Sequence, residues 1–135
     1  MATDQPVPED RRDQGMAIRD RILGPSWDDA SRTTPGLAMF TEIGIDNIWC
    51  GSWIDPTLEL RLKSTATIAM TITLRHSGLL GFHAAGALRE KLLSPDELRA
   101  LVVHLNPYIG YPIAREAMIV IDRAITEYEE NEAAK

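Results

Sequence analysis

Apolar side chains recur three and four residues apart along most of the chain, the period of a helix with one inward face. Met16, Ile18, Ile22 and Leu23 mark such a face over Asp10 to Leu23, and Gly24-Pro25 stops it. Residues 26–36 are rich in Ser, Thr, Asp and Pro and read as a loop. Over 37–53 the pattern suits a short helix, weakened by Gly44 and Gly51. Asp55-Pro56 has the form of a helix start, with Asp as the cap and Pro in the first turn. The helix it opens carries Ala66, Ile68, Ala69, Met70, Ile72 and Leu74, so it is apolar on nearly every side. Such a helix belongs in the middle of a bundle or inside an oligomer. The β-branched run over 65–73 has strand character, but a span of about 20 residues exceeds ordinary strand length.

A further helix is expected from Leu79 to Leu92, just after Gly78. Ser94-Pro95-Asp96-Glu97 is a strong local start: Ser94 caps, Pro95 fits the first turn and Glu97 completes a capping box. That helix carries Leu98, Leu101, Val102 and Leu105 before Pro107 and Gly110. The last begins at Pro112 and turns Ile113, Ala117, Val120, Ile121, Ala124 and Tyr128 inward. The predicted fold is all-α, a helical bundle of about six helices. A flexible segment over 1–14 precedes one domain over 15–128, and 129–135 frays into solvent.

Composition narrows the partners. The 135 residues are 44% apolar and 25% charged, enough for one domain with a hydrophobic core. The net charge is −6 and the Lys and Arg residues are scattered, so no basic stripe for nucleic acid or an anionic membrane is visible. A small anionic substrate stays compatible with a few local cations. Cys50 is the only cysteine, which excludes an intramolecular disulfide, a thiol redox pair and a cysteine-based zinc cluster. Three dispersed histidines supply no tighter metal site, and no metal or other cofactor is expected. The polar N-terminus has no apolar secretory core, and the most apolar stretch, Ser64 to Leu74, is too short to span a bilayer. A cytoplasmic, reducing location is the expectation.

Four blocks, in order, carry a resemblance. Gly15-x-x-x-Arg19-x-x-Ile22-Leu23-Gly24 comes first, then Trp49 and Trp53-x-x-Pro56-x-Leu58 followed by Arg61-x-Lys63-Ser64. Next is His83 within FHAAGALREKLLSPDEL, and last His104-x-x-x-Tyr108-x-Gly110-x-Pro112. Together they span roughly 15–125 and resemble the carboxymuconolactone decarboxylase family, whose fold also includes a peroxidase branch. That branch has a Cys-x-x-Cys ending four residues before its histidine. Here those positions hold His76 and Leu79, so its thiol chemistry is absent. The decarboxylase branch has an acidic run before its histidine where this chain has Arg75-His76-Ser77-Gly78-Leu79, and Ala85 replaces an arginine.

The resemblance implies a cofactor-free carbon-carbon lyase, a homotrimer or homohexamer, that turns 4-carboxymuconolactone into 3-oxoadipate enol-lactone and carbon dioxide. It places His83 at the general acid/base position. Histidine is the side chain best suited to trade protons near neutral pH, which makes His76 and His104 further candidates. His76 precedes His83 by seven residues and would share its face on one continuous helix, unless Gly78 marks a junction. His104 and Tyr108, four apart, would be neighbours at a pocket floor or a packing pair. Arg61 is a candidate carboxylate anchor, with an ion pair as the competing role. Trp49 and Trp53 would wall an apolar pocket or anchor the core. An enzyme should gather His83, Arg61 and another titratable group around one cavity. Two alternatives remain: a relative that isomerises, opens or dehydrates another cyclic acid, or a non-catalytic helical binding subunit whose cavity is filled by apolar side chains.

Overall fold

The computed structural model describes residues 7–24, 26–27 and 32–135. Among these, every regular element is helical, as the all-α reading expected. The helices fall into two units, Met1–Glu59 and Leu60–Lys135.

In the first unit, α1 (Glu9–Leu23) packs on a π-helical segment (Ile45–Trp53) that continues directly from α2 (Pro35–Gly44). Thr34 starts α2 by accepting the Leu37 N–H at 3.2 Å, with Pro35 in the first turn. The loop expected over 26–36 therefore ends earlier than its composition suggests, and Pro25 and 28–31 lie outside the described residues. The ambiguous stretch 37–53 resolves into two helical pitches. Its later half buries Ile45, Trp49, Cys50 and Trp53, a spacing of four to five that the wider i→i+5 turn brings to one side.

The close approach of α1 to this segment depends on Gly15. A Cβ there would lie 2.7 Å from Cys50 Sγ and 2.9 Å from its backbone nitrogen, so only glycine fits. Polar contacts fasten the rest. Arg11 donates to the Cys50 carbonyl at 3.0 Å, and Arg12 donates to Asp46 at 2.8 Å and to Glu42. Glu42 also receives Arg32 at 2.8 Å; hydrogen bonds from Arg32 and then Arg12 hold its carboxyl below the usual carboxylate range.

Asp55-Pro56 does not open a helix. Asp55 accepts the N–H of Thr57 at 2.8 Å, an Asx turn that satisfies a donor two residues on and leaves 56–58 in turn conformation.

In the second unit, α3 (Leu60–Thr73), α4 (Ser77–Arg89), α5 (Pro95–Ile109) and α6 (Tyr111–Ala133) pack around Ile68, Ile72, Leu80, Leu88, Leu98, Val102, Ile121 and Ile125. The threonine-rich run forms a helix because its hydroxyls turn back onto the backbone. Thr65 donates to the Arg61 carbonyl, Thr71 to Ile68 and Thr73 to Ala69, all within 2.9 Å. Within its unit α3 is not buried all round: it hides Ser64, Ile68, Thr71 and Ile72 and leaves Leu62 and Met70 about half exposed. The capping box forms as expected, with the Ser94 and Glu97 side chains each bonding the other's backbone N–H.

Two helix ends share a device the sequence conceals. At the end of α3, Arg75 N–H bonds to Ile72 and His76 N–H to Thr71; at the end of α4, Lys91 N–H bonds to Leu88 and Leu92 N–H to Ala87. These are Schellman turns, and Arg75 (φ 56°) and Lys91 (φ 55°) occupy the left-handed position glycine usually takes. Helix α4 accordingly ends at Arg89 and starts at Ser77, two to three residues before its expected bounds. Pro107 sits inside α5, which continues to Ile109. Helix α6 begins at Tyr111 and continues through exposed residues to Ala133.

Candidate functional site

His83 lies in the interior of the second unit, 4% exposed, in the middle of α4 among Leu80, Ala84, Ala87 and Leu88. Burial strips water from the imidazolium and lowers its pKa from 6.5 to about 4. At neutral pH His83 is therefore an uncharged imidazole, able to donate through one ring nitrogen and accept through the other.

The other histidines occupy different settings. The helix is interrupted by the turn between α3 and α4, so His76 lies outside the helix that carries His83. His76 is the N-cap of α4, its Nδ1 accepting the Leu79 N–H at 3.2 Å. His104 and Tyr108 meet on the exposed face of α5, with ring centroids 5.8 Å apart and tilted by 51°. Arg61 is half-exposed and paired with Glu97, the residue that completes the capping box of α5. His83 is thus interior, and Arg61 is held in a surface ion pair.

In the first unit Trp49 and Trp53 are buried and stacked, with centroids 5.0 Å apart and an interplanar angle of 26°. Trp49 also lines a cavity of about 300 Å³ with Trp27, Phe40, Ile45, Ile48 and Arg19. Arg19 is 1% exposed, lies 3.7 Å from Met16 Sδ and pairs at 3.6 Å with Asp20, whose carboxylate faces solvent. Cys50 is buried beneath α1, and burial, with Asp46 nearby, pushes its thiol up, disfavouring the reactive thiolate. Among the described residues no group of three or more His, Cys, Asp or Glu side chains is arranged to hold a metal ion. No helix of the described residues is long and apolar enough to cross a membrane.

The carboxymuconolactone decarboxylase family model matches residues 37–123, well over half the chain. The protein belongs to the carboxymuconolactone decarboxylase family. A nitrosuccinic acid decarboxylase of Metarhizium robertsii is 31% identical over 121 residues, covering 85% of this chain and 81% of that protein. A 4-carboxymuconolactone decarboxylase of Acinetobacter baylyi is 28% identical over 114 residues, covering 82% and 83%.

Two buried polar groups of this family member escape a reading by residue type. Arg19 shares the inward face of Gly15, Ile22 and Leu23, so its i+4 relation to Gly15 was the available signal. Ser64 stands in the Arg61-x-Lys63-Ser64 block, fully buried, and its Oγ makes no hydrogen bond among the described residues. Its signal was position: it is one turn before Ile68 on the face α3 buries.

Proposed function

We propose that this family member is a carboxy-lyase that releases carbon dioxide from a small organic acid, with His83 returning a proton to carbon. The observation that carries the reading is a neutral, water-poor imidazole at the family's histidine position. A bound carboxylate would bring negative charge to His83, raising its proton affinity and coupling substrate binding to proton uptake. When the carbon-carbon bond breaks, its electron pair passes into an adjacent electron-withdrawing group and carbon dioxide departs. The imidazolium then protonates the carbon and returns to neutral. One carboxylate and one proton give one carbon dioxide and the protonated product, and the balance requires no metal or organic cofactor.

In 4-carboxymuconolactone the electron sink is the lactone carbonyl, and the product is 3-oxoadipate enol-lactone. Nitrosuccinic acid offers a nitro group for the same purpose, so one imidazole serves both acids. The second substrate is favoured by one observation: residues 75–79 form a turn and a helix cap here rather than the acidic run of the lactone branch. In this reading His76 caps its helix, and His104, out on α5, transfers no proton. Assembly as a trimer or hexamer, in the cytoplasm, is part of the proposal. The half-exposed Met39, Ile43 and Met70 and the exposed Leu74 support it as apolar surface without cover within either unit.

The test is to incubate the purified chain with each acid and follow its loss together with carbon dioxide release. Turnover of either acid, lost in His83→Gln but retained in Cys50→Ala, is the expected result. The circular dichroism of His83→Gln should remain helical. No turnover of either acid by the wild type, or full activity in a folded His83→Gln, would overturn the proposal.

A further inference from the structure

Helices α2, α4 and α5 each start on a side-chain cap, but the capping groups differ in chemistry. The hydroxyls of Thr34 and Ser94 accept the N–H three residues on, and neither hydroxyl titrates. At the start of α4 the acceptor is the Nδ1 of His76, 3.2 Å from the Leu79 nitrogen. An imidazole accepts at Nδ1 only while it is neutral, with its hydrogen on Nε2. His76 is exposed, so protons reach the ring from solvent.

Protonation reverses this contact. Both ring nitrogens become donors, Nδ1–H then faces Leu79 N–H, and the ring has to turn away. The new charge also stands at the positive end of the α4 dipole, where a cation is disfavoured. Its surroundings do not offset that charge. Arg75, the residue before, is itself positive, and it engages both carboxylate oxygens of Glu116 on α6, at 2.7 and 3.1 Å. The other groups around the small cavity beside this turn, Thr71 and Ile72 of α3 and Ile113 and Ala117 of α6, are uncharged.

We propose that His76 makes the start of α4 an acid-released cap. With the ring neutral, the first turn of α4 is held. When the ring takes up a proton, the Leu79 N–H loses its acceptor and the turn opens. Leu80, which this turn places in the core, loosens with it, three residues before His83. Acid thus reaches the helix that carries the family's histidine through its exposed end. The cap transfers no proton to a substrate, and the inference does not rest on the decarboxylase reading.

The experiment follows the Leu79 amide and the His76 ring nitrogens by NMR in the full chain. The pH runs from about 8 to about 5, the range in which an ordinary imidazole takes its proton. Amide exchange is normalised at each pH to the rate of an open amide. The wild type should show the Nε2–H tautomer when neutral, and a Leu79 protection that falls about tenfold in acid. His76→Asn keeps a capping acceptor that does not titrate, so its Leu79 protection should stay level. His76→Ala should show at neutral pH the low protection that the wild type reaches only in acid. Comparing the wild type with His76→Asn at equal pH cancels what other titrating groups, His83 among them, impose on both. An equal fall in His76→Asn overturns the inference, as does an Nδ1–H tautomer in the neutral wild type. A neutral wild type no better protected at Leu79 than His76→Ala does so too.

Discussion

The two units of this chain are held together by different physics. In the first, α1 meets the π-helical segment through a glycine contact and a set of arginine hydrogen bonds, most of them near water. In the second, four helices close over an aliphatic core, with the charged pairs left at the edges. An exposed ion pair contributes about 0–1 kcal/mol, whereas a fully buried aliphatic side chain contributes several times that. The second unit should therefore carry most of the stability, and the polar fastening of the first should set its geometry more than its strength.

The contrast is exposed to direct tests, the largest first. Ile121 is fully buried in the second core, and Ile121→Ala should cost about 3–4 kcal/mol, measured by urea denaturation. A cost below about 1 kcal/mol would mean the core is not the source of stability.

Acid should act next. His83 holds its proton to about 4 when folded, against 6.5 when exposed. Between these values the unfolded chain takes up a proton the folded one refuses. The His83 contribution is thus fully present above pH 6.5, falls as pH drops and is lost once pH passes about 4. The loss should reach about 3 kcal/mol, and a His83→Leu variant should be flatter over the same range. Lys91→Gly should stabilise by about 1 kcal/mol, since it relieves a side chain at φ 55° without disturbing the turn. Smallest of all, Arg12→Ala should cost about 0.5 kcal/mol, less still in high salt. If that loss matched the Ile121 one, the contrast between the units would fail.

Much of this was legible in the residues themselves. The capping box at Ser94 and much of the inward row of α6 follow from local rules, whereas in α1 the pattern finds Ile22 and Leu23 but takes Met16 and Ile18 for the buried Gly15 and Arg19. The threonine-rich α3 was read as a helix through an Asp-Pro start and a span of about 20 residues; it is a helix, but one of 14 residues that starts later, and the hydroxyl contacts that accommodate it are a property of the folded turn. What stayed hidden has a common cause. Arg75 and Lys91 adopt a conformation that side-chain type argues against, and Asp55 offers the same capping oxygen to a turn as to a helix. Both outcomes are decided by where the next helix must begin. His83 was named through resemblance, but its burial, and hence its neutrality, comes from the packing of α4. Of the two roles open to Arg61, anchor or ion pair, the ion pair is seen, with Glu97, a partner 36 positions away that no local spacing reveals.

The aromatic residues give the chain an optical division of labour. Trp27, Trp49 and Trp53 all belong to 1–59, and Tyr108, Tyr111 and Tyr128 all belong to 60–135. Indole emission therefore reports on the π-helical segment and its cavity, while phenol absorbance follows the helices around His83. A single unlabelled sample, melted once and read at both chromophores, would show whether the two units lose their structure together or in turn.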